Sequence, residues 1–146
     1  MARYSAGVRT SAGSTTLPII SLYAIANISP AIREIGVFNT TTTAVAIKLV
    51  RITTAGTQGT ALTEAKHNDR SPAASSTAFS THTSTGPTIG DDLGYAAVLG
   101  AAAGAGIIWT FGDTGLMIPA GTSNGVGVIV ATGTGQVCDA YIVWDE

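Results

Sequence analysis

Charge is scarce in this chain. Only 11% of its 146 residues are Asp, Glu, Lys or Arg, where a soluble domain carries roughly 25%. The shortage does not mark disorder, which needs high charge with low hydrophobicity, because 45% of the residues are hydrophobic. Lys and Glu are few, so the long helix-forming side chains of a bundle or coiled coil are missing. The single cysteine, Cys138, excludes an intrachain disulfide and with it a disulfide-stapled secreted module. It lies in the apolar run Val137–Trp144 and reads as a buried, inert thiol.

Chemical signatures are missing as well. No G-x-S-x-G places a nucleophile on a sharp turn, and no Walker sequence is present. Gly125-Val-Gly127 and Gly133-Thr-Gly135 read as flexible strand ends rather than phosphate cradles. Glu64, His67 and Asp69 lie close in sequence, but a metal site needs three or four converging ligands, so a solvated polar loop is expected there. His82, isolated among Ser and Thr, reads the same way. Asp91, Asp92 and Asp113 lack the spacing of a calcium loop. The expectation is a protein without enzymatic activity, metal or cofactor.

Basic residues are absent from the second half. All seven, Arg3, Arg9, Arg33, Lys48, Arg51, Lys66 and Arg70, precede residue 71, where only Glu34, Glu64 and Asp69 oppose them. The remainder holds Asp91, Asp92, Asp113, Asp139, Asp145 and Glu146. Either the fold interleaves the halves and cancels the charge, or the molecule presents a bipolar surface to a charged partner or another copy. The formal net charge of −2 offers no case for nucleic acid. The opening MARYSAGVRTSAGSTT has no apolar core of signal-peptide length. Residues 93–112 carry no charge and are long enough to span a bilayer, but they are rich in Ala and Gly and flanked by Asp92 and Asp113. They read as a buried strand pair with a glycine-rich connection, and no membrane is expected.

What the chain does have is strand language. In Ala44–Ile52, Val45, Ile47 and Leu49 alternate with Ala46, Lys48 and Val50, which is the strand period. With Ala31–Asn39 it forms an expected hairpin across the threonines at 40–43. Further strand-like runs are Leu17–Ala26, Ser75–Thr83, Ala96–Leu99, Ile107–Phe111, Leu116–Ile118, Val126–Ala131 and Val137–Trp144. Turns of Gly, Asp, Ser and Asn separate them, including GPTIGDDLG at 86–94. The pattern predicts an all-β fold, an antiparallel β-sandwich or jelly roll of about eight to nine short strands. Residues 17–146 form that single domain. Residues 1–16, small and polar with two arginines and no periodicity, form an extended N-terminal arm.

The strand Arg33-Glu-Ile-Gly-Val-Phe-Asn39, the threonine turn after it, Ala46-Ile-Lys-Leu-Val-Arg-Ile-Thr-Thr-Ala-Gly56 and the late Leu116-Met-Ile-Pro-Ala-Gly121 together resemble a known family. They are similar to the head decoration, or cement, proteins of tailed bacteriophages, which have a jelly-roll or tumour-necrosis-factor-like fold. The resemblance implies a virion structural protein on the capsid exterior, a symmetric homo-oligomer such as a homotrimer, and the major capsid protein as partner. It carries over no catalytic residue. Other readings of the residues are a minor capsid, tail or fibre component, or a carbohydrate-binding β-sandwich, which would need exposed aromatics. Within the arm, Arg3, Tyr4 and Arg9 are the capsid-contact candidates, since arginine offers planar multidentate hydrogen bonding and tyrosine cheap contact area. Tyr141 and Trp144, in the charge-poor C-terminal run, are the candidate oligomer-interface anchors.

Overall fold

The computed structural model describes all 146 residues, contains no helix and is built wholly of strands and connections. In chain order the strands are β1 (Arg3–Arg9), β2 (Ile20–Tyr23), β3 (Ala31–Asn39), β4 (Val45–Ile52), β5 (Ala65–Lys66), β6 (Thr77–Phe79), β7 (Ile89–Leu99), β8 (Gly106–Thr110), β9 (Leu116–Met117), β10 (Gly125–Thr132) and β11 (Cys138–Asp145). One sheet has the order β5-β1-β11-β3-β8, with β9 also beside β3; the second has the order β6-β2-β10-β4-β7. All pairings are antiparallel. With the short β5, β6 and β9 set aside, the pairing is nested: β1 with β11, β2 with β10, β3 with β8, β4 with β7. That nesting is the winding of a jelly roll.

Alternation places the core between the sheets. β11 turns Cys138, Ala140, Ile142 and Trp144 inward, β4 turns Val45, Ile47 and Leu49 inward, and β10 adds Val126, Val128 and Val130. Gly127, between Val126 and Val128, serves the other face. A Cβ on Gly127 would lie 2.8 Å from Ile52 Cδ1 and 3.1 Å from Pro18 Cβ, so the bare backbone lets these side chains close over the sheet.

Four sequence expectations are corrected. The first is the arm. Residues 3–9 pair along their whole length with β11, from Arg3 opposite Asp145 to Arg9 opposite Asp139, so β1 belongs to the sandwich and the domain does not begin at residue 17. Its inward residues are Tyr4, Ala6 and the half-buried Val8, of which only the first is large, and that hid the strand period among Ser, Gly and Arg. The second is the hairpin: β3 and β4 lie in different sheets, and the threonine turn carries the chain across the sandwich. The third is the turn at 86–94, most of which is strand β7; β7 holds more residues than the stretch of β4 it faces, and Gly94 (φ +79°) sits in one of the resulting bulges. The fourth is the buried pair in 93–112: β7 and β8 are edge strands of opposite sheets and are largely exposed.

Asn39 fixes the crossing between sheets. Its buried amide donates to Thr43 O (2.7 Å) and Gly100 O (2.9 Å), and its Oδ1 accepts from Thr41 N and Thr41 Oγ1 (both 3.0 Å). One side chain thus ties the 40–43 turn to the end of β7. Asn39→Ala removes all four hydrogen bonds of this buried side chain and is expected to cost about 1–3 kcal/mol. Urea denaturation checks this, and an unchanged midpoint would contradict it.

Candidate functional site

The outward face of the β1-β11-β3-β8 sheet is the surface with the most to explain. Its registers set the side chains in rows. Gly7, Tyr141, Gly36 and Ile108 form the middle row; Ser5, Val143, Glu34 and Thr110 lie on one side, and Arg9, Asp139, Phe38 and Gly106 on the other. A Cβ on Gly36 would fall 2.2 Å from Tyr141 Cε1, so the tyrosine ring lies flat across the bare backbone of β3. Its hydroxyl donates to the Glu34 carboxylate. Burial and that carboxylate push the Tyr141 phenol up to about 12. Phe38 covers Gly106 in the same way. Ile108 remains 50% exposed. Tyr95 and Val98, the latter 74% exposed, lie on β7 at the edge of the other sheet. Tyr95 stands edge-on to Phe111, with ring centroids 5.2 Å apart.

The arginines bordering this strip are already matched. Arg9 grips Asp139 with two hydrogen bonds (2.8 and 2.9 Å). Asp145, nearly buried, takes two from Arg3 (2.7 and 3.0 Å) and one from Arg33 Nε (2.6 Å), while Arg33 also donates to the Gly112 and Asp113 carbonyls. The Arg3 hydrogen bonds, then those of Arg33, hold the Asp145 carboxyl below the usual carboxylate range against the opposing effect of burial. On the other sheet Lys48 pairs with Asp92 at 3.0 Å. Every ion pair therefore joins a base from the first half to an acid from the second. Nested pairing lays the halves against each other, so much of the imbalance along the sequence cancels within the sheets.

The residues singled out from sequence scatter. Arg3 and Arg9 are committed to Asp145 and Asp139. Tyr4 is 1% exposed, stacks on Trp144 at 5.8 Å between ring centroids, and donates to Pro72 O. Trp144 is wholly buried in the core rather than on a face. Of the five, Tyr141 alone lies on an open apolar surface. Ile108, Phe38 and Val98 were missed because Ile107-Ile108 and Val98-Leu99 read as unbroken apolar runs, and only strand pairing tells which member turns out. Both tryptophans are buried, Trp109 at 7% exposure, so neither offers a ring to a sugar.

The polar candidates also separate. No three His, Cys, Asp or Glu side chains converge in a metal-binding group. His67 is exposed in its loop. His82 is not a solvated loop residue but 1% exposed: its Nε2 lies 3.0 Å from Tyr23 Oη and 3.2 Å from Ala55 O, and its Nδ1 has no partner. It pins the 53–59 loop to the end of β2. Cys138 is buried, as expected, and burial raises its thiol to about 11. A groove of about 550 Å³ opens on the other side of the sandwich, beyond β1. No protein-family model matches the chain, and no curated protein matches it as a relative.

Proposed function

We propose that this is a non-enzymatic structural protein that works as a symmetric homo-oligomer, a homotrimer, decorating the outside of a virus capsid by binding the major capsid protein. The observation that carries the assembly is the open strip Tyr141–Ile108–Phe38, on a face whose arginines are matched by neighbouring aspartates. Contiguous exposed apolar surface of this kind marks interaction sites. Arginines already paired beside it limit the cost of burying them, and closed cyclic symmetry hides such a strip in every copy. The resemblance of residues 33–56 and 116–121 to phage decoration proteins supports the capsid as the place and the trimer as the number.

Ile108→Lys tests the assembly. The side chain is half-exposed on an edge strand, where lysine is well tolerated by a monomer. Burying its ammonium in an interface is expected to weaken association at least ~100-fold. Sedimentation at micromolar concentration should show wild-type oligomers and a folded monomeric variant. A wild-type protein that stays monomeric overturns the assembly reading. Failure of wild-type protein to bind assembled particles, with oligomers intact, overturns the capsid reading alone.

A further inference from the structure

The groove beyond β1 has a wall of unusual kind, a regular strand edge with its hydrogen bonds unmade. Ala2 and Glu146 exchange both backbone hydrogen bonds, and Thr10 N donates to Cys138 O, so the even-numbered residues of this segment bond to β11. The odd-numbered ones turn the other way. Arg3 O accepts from His67 N, and Ser5 pairs with Ala65 of β5. Ser11 is capped by one side chain, with its N–H donating to Thr81 Oγ1 and its carbonyl accepting from the same hydroxyl. Between these two stops, β5 and Thr81, the outward N–H and C=O of Gly7 and Arg9 meet no backbone partner, because the chain preceding β5 has left this sheet. There Leu62 N donates to Ala78 O and Ser80 N to Thr60 O, so residues 60–62 lie along β6 of the other sheet instead.

We propose that this gap is a docking site for a short, extended, uncharged segment of another polypeptide, which would add a strand to β1 at Gly7 and Arg9. Three features specify the occupant. Backbone groups spaced two residues apart on a strand edge are matched by an antiparallel or parallel strand, the general mode of strand addition. The volume of about 550 Å³ takes a few residues and no more. The lining is Val8 and Leu62 with the hydroxyls and amide of Ser11, Gln58, Thr60 and Ser80, while the one charged side chain on the wall, Arg9, is held by Asp139. Small apolar or hydroxyl side chains fit such a surface, and a charged one would find no counter-ion. The other edges are poorer acceptors: β7 is bulged, β8 has five residues, and β6 has three and is met by Ala61. The site meets the apolar row at Gly7 but uses the free backbone edge of β1, whereas the assembly uses the side chains of Tyr141, Ile108 and Phe38 on the outward face.

The probe is the acetylated, amidated peptide Thr-Val-Thr-Ser-Thr, added to the full-length ¹⁵N-labelled protein. Binding should shift the Gly7 and Arg9 amide signals and slow their hydrogen exchange. The same peptide N-methylated at alternate amides should bind about tenfold more weakly, the equivalent of one or two hydrogen bonds. Gly7→Pro removes one outward N–H while keeping every donor of the ladder to β11, though its Cβ presses on Tyr141 and Ala140 O, and should weaken the unmodified peptide similarly. If that variant does not fold, the N-methylated peptide still decides. Shifts confined to other amides, equal binding of the two peptides, or no shift at millimolar peptide would each overturn the proposal.

Discussion

Trp144→Ala should lower the stability of the folded chain by about 3–5 kcal/mol, the range for emptying a buried aromatic site. The indole is fully buried, packs against Tyr4 and closes the end of the core where β1, β11 and β3 meet. A bulge sets it there: Val143 faces Glu34 but Trp144 faces Ile32, so Arg33 is the extra residue, free to reach Asp145 and the Gly112 and Asp113 carbonyls. The indole Nε1 has no hydrogen-bond partner, so the side chain contributes through packing alone. A core role predicts the same drop in urea midpoint at two protein concentrations tenfold apart. An interface role predicts a variant as stable as wild type when dilute that fails only to assemble. The second outcome would return Trp144 to the surface.

How much of this was legible follows from what a one-dimensional pattern can hold. β3, β4, β10 and β11 are long, rich in apolar residues and paired on both sides; their ends were readable to within one residue or so. β1 was not, because its outward positions are Arg, Ser and Gly, and two of its three inward ones, Ala6 and Val8, are modest; the strand exists because β11 offers it a full ladder and two aspartates. The residues around Asp91–Gly94 look like a turn and become strand because β4 imposes pairing, with bulges absorbing the mismatch. The threonine turn looked like a hairpin loop. What sends it across the sandwich is Asn39, whose partner carbonyl at Gly100 is remote in sequence. The apolar strip was hidden for a related reason. Its Gly7-Tyr141-Gly36-Ile108 row draws on four strands scattered along the chain, and no local window contains it.

Acid should unfold the protein in two stages. The first involves His82. Burial lowers its pKa below the ordinary value, and its unpartnered Nδ1 has nowhere to place a second proton. An imidazole that is neutral in the fold but titrates near ~6.5 when unfolded contributes stability in full above that pH. As pH falls below it, the unfolded chain takes a proton the fold refuses, and stability declines until the depressed folded pKa is reached. The second stage belongs to Asp145, whose carboxyl is held down first by Arg3 and also by Arg33. Its contribution is complete above ~4 and is lost as pH drops through the lowered value. Asp139 and Asp92 shift the same way, through Arg9 for the first and through Gly94 N and then Lys48 for the second, but they are solvent-exposed pairs and add little. Thermal midpoints measured from pH 8 to pH 3 should therefore fall gently below ~6.5 and steeply below ~4. His82→Gln, which keeps an N–H for Ala55 O and cannot titrate, should flatten the first slope and leave the second. Asp145→Asn should lower stability at pH 7 and shrink the second drop, because Arg3 and Arg33 then lose their shared carboxylate at every pH. A wild-type midpoint that is level between pH 7 and pH 5 would sink the role given to His82, and an unchanged acid limb in Asp145→Asn would sink the role given to the Arg3–Asp145–Arg33 cluster.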